Sequence, residues 1–251
     1  MISTIHHHHK LYRIDFSKPK DISISIKDGE ENPNAFHAPN VKISPVMVDD
    51  FIGDIGQGGV VNFKNIKINP HGNGTHTECV GHISKETYTI NQCLKEYMFV
   101  AKLITITPEK LENGDTVITQ QLLNHIDNNE NAQAIIIRTL PNEHDKETKN
   151  YSDTNPTYIH HEAMAYLVYR GYEHLLIDTP SVDRERDEAK FLAHKAFWKY
   201  PGSVRKNSTI TELIYVDNEI EDGLYLLQFN VLNIELDASP SRPLLYDLME
   251  V

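Results

Sequence analysis

The chain has 251 residues, enough for one large domain or two small ones, and 39% hydrophobic with 24% charged residues is ordinary for a globular protein. Lys and Arg number 24 against 36 Asp and Glu, a formal net charge of −12, which repels a nucleic-acid backbone or an anionic membrane and leaves a small molecule as the expected partner. The two cysteines, Cys79 and Cys93, are too few for a disulfide framework, fit a reducing compartment and offer no zinc-ribbon spacing.

The amino end, MISTIHHHHKLYRIDF, lacks the apolar centre of a signal peptide, and no stretch approaches the roughly 18 apolar residues of a membrane span, so a cytoplasmic location is expected. The run His6 to His9 reads as part of a disordered or tag-like tail over 1–10, with a single domain over 11–251. Ile22, Ile24 and Ile26 alternate as in a strand, and VKISPVMV and GVVNFKNIKI read as strands too, making the first seventy residues β-rich.

MFVAKLITIT is an apolar run closed by Pro108. Thr116 is placed to cap a helix through VITQQLLNHI, and AQAIIIRTL supplies a second apolar strand, completing a β-α-β unit. The polar stretch 142–156 reads as an exposed loop. IHHEAMAYLVYRG puts Ala163, Tyr166 and Leu167 at helical spacing and stops at Gly171; HLLID is another strand, and TITELIYV and LYLLQFNVLNIEL return to strand patterning. The elements describe one mixed α/β domain.

The densest chemistry lies in NPHGNGTHTECVGHI, residues 69–83, where His71, His76, Glu78 and His82 surround two glycines and Cys79. Histidine with carboxylate suits Zn²⁺, Mn²⁺ or Fe²⁺, and in an extended chain His76, Glu78 and His82 share one face while Cys79 turns away. Read alone, the segment is either a metal site or a turn with surface histidines. Glu212 shares strand parity with Ile210, Ile214 and Val216, so a strand aims its carboxylate toward the apolar side, where it needs a metal or Arg partner; a bend would expose it instead. Asp178 and Asp183 in LLIDTPSVD are assigned to turn hydrogen bonding, and His160, His161 and Glu162 to a helix start. Phe36, Phe51 and Trp198 are candidates for an aromatic pocket, though each also suits plain core.

GTHTECVGH is similar to the H-x-G-T-H-x-D-x-P-x-H signature of the metal-dependent cyclase family, which includes bacterial kynurenine formamidase and isatin hydrolase. In the family's order, IHHEAMAYLVYRGYEHLLIDTPSVD resembles its helix, strand and I/L-D-T-P-S-x-D turn. FLAHKAFW resembles its A-H-H segment, TELIYVDNEIEDGLYLL its E-x-L segment, and LNIELDASPSRPLLYDL its closing G-S-P-x-R stretch. The resemblance implies a single α/β/α domain, a divalent metal, Zn²⁺ or Mn²⁺, held by His76, Glu78, His194 and Glu212, His82 as the catalytic histidine, and a homo-oligomer.

Two departures stand out: the family's first histidine aligns with Gly72, leaving His71 displaced by one residue, and its aspartate ligand is Glu78. Either the glycine-rich turn swings His71 inward to complete the site, the favoured reading, or Glu78 chelates through both oxygens. The function implied is metal-dependent hydrolysis of a small amide, formamide or cyclic amide, with His82 as acid/base. The alternatives are a small-molecule binding protein of the same fold that has lost its metal chemistry, which Gly72 supports, and a metal-dependent cyclase or lyase.

Overall fold

The structure, a computed structural model, describes residues 1–126 and 131–251. Nine strands form its central sheet, in the order Ala238–Pro240, His76–Glu78, Thr209–Glu212, His174–Ile177, Ala134–Thr139, Met98–Ile106, Gly223–Gln228, Leu244–Asp247 and Lys20–Asp21. The four from Thr209–Glu212 to Met98–Ile106 are parallel, and antiparallel strands flank them on both sides. Parallel strands sit in the middle because both their faces must be covered. Ala134–Thr139 and His174–Ile177 are accordingly buried at every residue, which is why each carries an apolar run, Ala134 to Ile137 and Leu175 to Ile177.

Side chains at period two divide the core. Val100, Ile104, Ile135, Ile137, Leu175, Ile177 and Ile210 face the helices Gln120–Ile126, His161–Tyr169 and Leu192–Trp198 through Leu123, Ala163, Leu167, Phe197 and Trp198. Phe99, Ala101, Leu103, Ala134, Ile136 and Leu176 face the other way, onto the short helix Ile90–Cys93 and the segments around Ile22 and Ile214. The mixed α/β/α expectation holds, as does the β-α-β unit between Met98–Ile106 and Ala134–Thr139. The helix after the tandem histidines also forms as read: His160 Nδ1 accepts from the Glu162 amide, Ala163 and Leu167 bury, and the chain leaves through Gly171 at φ +90°.

Several expectations are corrected. Residues 1–10 are not a tail: Ile2–His7 pairs antiparallel with Lys10–Asp15 around His8 and His9, whose φ of 42° and 67° make the tight left-handed turn such hairpins use. The backbone ladder, together with Ile5 packing beside Ile14, orders a stretch whose composition alone suggests disorder. At 20–26 only Lys20–Asp21 pairs, although Ile22 and Ile24 do bury. VKISPVMV and GVVNFKNIKI contribute strands Lys42–Pro45 and Lys64–Lys67, but these pair with each other as a separate ribbon, leaving Met47, Val60, Phe63 and Ile66 exposed. The helix cap falls to Thr119, whose Oγ1 accepts from the Leu122 amide, because Thr116 belongs to the strand Thr116–Ile118. Nor is 142–156 simply an exposed loop. Asn142 and Tyr151 are buried, and Lys146 Nζ reaches Asp178 Oδ2 at 2.8 Å, folding the segment over the carboxyl ends of two parallel strands. Finally, Leu213 at φ 55° turns the chain after Glu212, so Ile214 and Val216 face the opposite cluster from Ile210.

Candidate metal centre

The segment before the His76–Glu78 strand is a turn tied by its own amides. Asn69 Oδ1 accepts from the Gly72 amide at 3.1 Å, and Asn73 Oδ1 accepts from the Asn69 amide at 2.8 Å. A Cβ at position 72 would lie 2.4 Å from Ala38 Cβ and 3.0 Å from the Ala35 carbonyl oxygen, so this backbone has no room there for a side chain. His71 instead projects to the site, with Nδ1 3.2 Å from Glu78 Oε2.

The register places the next groups. His76 lies opposite Glu212 and Glu78 opposite Ile210, so both side chains and Glu212 share the helix-facing side of the sheet, while Thr77 and Thr211 bond each other on the reverse. Beyond Glu78 the strand ends, and a 3₁₀ turn over Val80–His82 folds His82 back to bring Nδ1 3.7 Å from Glu78 Oε2. His82 therefore joins His76 and Glu78 through a turn and not through strand parity. Gly81 makes that turn possible, since a Cβ there would meet the Tyr88 carbonyl oxygen at 2.1 Å. His194 enters from the Leu192–Trp198 helix, its Nε2 3.1 Å from Glu78 Oε1 and 3.8 Å from Glu212 Oε1.

All the residues expected at the site thus converge. Among the described residues, three triads have ligand atoms within 4.8 Å of one another: His71, His76, Glu78; Glu78, His82, His194; and His71, His82, Asp237. Glu212 faces His76 Nε2 at 3.4 Å through Oε2 and accepts the Val182 amide through Oε1 at 2.9 Å. Two buried atoms at the centre, His76 Nε2 and Glu78 Oε2, have no hydrogen-bond partner. Each such orphan costs about 1–3 kcal/mol. A divalent cation between them would satisfy both, and the nitrogen and oxygen donors suit Zn²⁺ or Mn²⁺, so the residues fit a metal.

Burial opposes charge on Glu78, but His82, with the His194 and His71 rings close beside the carboxylate, outweighs it and holds the carboxyl well below its usual range. Burial likewise works against a charged His194, and the bonds to Asp183 and Glu78 prevail, raising it well above the ordinary imidazole value. For His71 the same contest, won by Asp237 and Glu78, brings the pKa to about 10.

Asp237 escaped sequence reading. It lies 2.9 Å from His71 Nε2 and 3.5 Å from His82 Nδ1, and its carboxyl is pushed far down by hydrogen bonds from both rings. The LDASPSRP stretch containing it was visible, but nothing local marks its aspartate. Asp183, assigned to turn bonding, does accept the Ala193 and His194 amides at 2.7 and 3.1 Å; it also bonds His194 Nδ1 at 2.6 Å, which orients the ring. Cys79 turns to the opposite core as parity requires, and the Cys93 thiol beside it, together with burial, pushes its own thiol up. Trp198 is core beneath the site, stacked on His194 with centroids 5.5 Å apart, whereas Phe51 packs on Phe63 near the outer ribbon. Phe36, part-exposed, lines a narrow cleft with Tyr151 and Asp183.

The Cyclase family model, described as “Putative cyclase”, matches residues 14–184, and the chain belongs to that family. No curated protein sequence matches the chain. Among solved structures, it is similar to a “Potential Metal-Dependent Hydrolase With Cyclase Activity”, at 19% identity and TM-score 0.66 over 92% of this chain and 98% of that one. An isatin hydrolase bound to the product analogue thioisatinate aligns at 16% identity and TM-score 0.66, over 92% and 94%. Isatin hydrolase A from Labrenzia aggregata, bound to benzyl benzoate, aligns at 14% and 0.66, over 91% and 93%. These likenesses show a shared fold.

Proposed function

We propose that this protein is a metal-dependent hydrolase of a small amide, formamide or cyclic amide. The observation that carries the reading is the pair of orphaned buried atoms, His76 Nε2 beside the Glu212 carboxylate and Glu78 Oε2 beside the His71 and His82 rings, in a pocket of titratable groups. His76, Glu78, His194 and Glu212 would hold the cation, with His71 beside them. When bound, a divalent cation polarises a carbonyl and acidifies water.

The chain's own residues supply the rest. His82, 27% exposed at the mouth of the site, has its ring near Glu78 and Asp237 and is placed to take a proton from water and return it to a leaving nitrogen. Asp183 and Trp198 fix the His194 ring from behind by a hydrogen bond and a stacked face. The aliphatic and aromatic floor beneath, with Ile210, Phe197 and Trp198, excludes water from the inner groups. The hydrolases of this fold named above support the reading, among them the isatin hydrolase bound to a product analogue.

The test is turnover of N-formyl aromatic amines, cyclic imides and isatin-like lactams by purified protein loaded with Zn²⁺ or Mn²⁺. At least one should be hydrolysed, and a chelator should stop it. Protein that binds neither ion and hydrolyses none of the panel would overturn the proposal.

A further inference from the structure

Three histidines at the site share one arrangement. His76 Nδ1 bonds the Gly74 carbonyl oxygen at 3.0 Å and turns Nε2 inward, toward Glu212. His194 Nδ1 bonds Asp183 Oδ2 at 2.6 Å and turns Nε2 inward, toward Glu78. His71 reverses the two nitrogens: Nε2 bonds Asp237 Oδ2 at 2.9 Å, and Nδ1 faces Glu78 Oε2 at 3.2 Å. A carbonyl or an ionised carboxylate can only accept, so in each case the outer nitrogen carries a hydrogen, which leaves the inner nitrogen as the one to give up its proton and offer a lone pair to a cation. That is how a metal-binding histidine is held when an acceptor behind it sets tautomer and orientation.

Asp237 is itself well anchored. Its carbonyl oxygen accepts the Cys79 amide at 2.9 Å, and the strand that begins at the next residue pairs Ala238 with Glu78. The carboxylate is thereby held across from the residue that follows Glu78, on the side where His71 arrives.

We propose that Asp237 is the positioning residue that makes His71 a metal ligand through Nδ1, replacing the imidazole for which Gly72 has no room. The inference rests on the metal reading above and adds the residue that the displaced histidine requires. Asp237 acts through His71 and does not contact the ion.

The experiment is a cycle of Zn²⁺ affinities, measured by competition with a chromophoric chelator on the full chain: wild type, Asp237→Ala, His71→Ala, the double variant and Asp237→Asn. Asp237→Ala should weaken binding about ten- to a hundredfold. His71→Ala should weaken it at least as much, and adding Asp237→Ala to it should change affinity by less than about threefold, because the group through which Asp237 acts is gone. Asp237→Asn retains an acceptor oxygen and should fall between wild type and the alanine variant. With Co²⁺ in place of Zn²⁺, Asp237→Ala and His71→Ala should give the same altered visible spectrum. Wild-type affinity in Asp237→Ala, or an undiminished loss in the His71→Ala background, would overturn the inference while leaving the metal reading intact. A wild-type chain that binds no Zn²⁺ would overturn both, and is seen before any variant is made.

Discussion

His194 and His174 are buried equally, each 1% exposed, and yet their surroundings shift them in opposite directions. His194 sits among carboxylates, where Asp183 and Glu78 outweigh burial and raise its pKa. His174 stands at the amino end of its strand with rings of Phe99 and Phe229 at centroid distances of 4.1 and 5.6 Å, and its ring bonds Thr209 Oγ1 at 2.8 Å through Nδ1. Burial, with Arg205 adding to it, pushes that ring down to about 3. The difference teaches that burial sets the cost of a charge and the neighbours decide whether it is met. One histidine belongs to a pocket of carboxylates, the other to an aromatic slot.

The largest expected effect would break this comparison at the ligand pocket. Zn²⁺ at about a thousand times its dissociation constant should stabilise the wild type by about 4 kcal/mol, read as a thermal shift, and His194→Ala should remove most of it while His174→Phe keeps it in full. Equal shifts in both variants would put the ion elsewhere. Next, His82→Ala should lower turnover about a hundredfold or more with bound metal unchanged, as general acid/base groups do. Unaltered turnover would take His82 out of the chemistry.

Protons on the raised histidines must leave when a cation enters. For His71, with a pKa of about 10, apparent metal affinity should strengthen by about tenfold per pH unit between pH 6 and 8, for each proton displaced. Calorimetry in buffers of different ionisation enthalpy counts those protons, and an affinity flat with pH would contradict the charged pocket. The aromatic slot runs the other way. Between an unfolded value near 6.5 and the native value of about 3, only the unfolded chain protonates His174, so stability from this group is full above pH 6.5 and falls by about 1.4 kcal/mol per unit as pH drops toward 3. His174→Phe should shift the acid unfolding midpoint downward; an unmoved midpoint would show that other groups govern it. The smallest effect is Thr209→Val, which leaves His174 Nδ1 without its partner at a cost of about 1 kcal/mol in denaturant unfolding. A value near zero would mean that water replaces the hydroxyl.

The parallel centre of the sheet was readable because strands covered on both faces are mostly apolar on both, as the AIII of AIIIRT and the LLI of HLLI are. The His161–Tyr169 helix was readable from its local cap and its terminal glycine, features that act within a few residues. The ribbon at 42–67 was half readable: β-branched and aromatic residues signal strand, but nothing in their spacing tells whether a strand joins the core or pairs outside it. The hairpin at the amino end was misread because its order comes from a backbone ladder that histidine composition does not reveal.

At the site, the candidate donors that converge and their order along the chain were legible in GTHTE, AHKAF and TEL, since donor chemistry belongs to residue type. Which nitrogen of each ring faces inward was not. His71 and Asp237 are 166 residues apart, and they meet because Ala238 pairs with Glu78 while Gly72 presses against Ala35 and Ala38. Periodicity fixes which side of its own strand a residue takes. Only the register between distant strands, and the closeness of backbone at one glycine, decide which carboxylate stands behind which histidine, because both are properties of packed chains and not of any single segment.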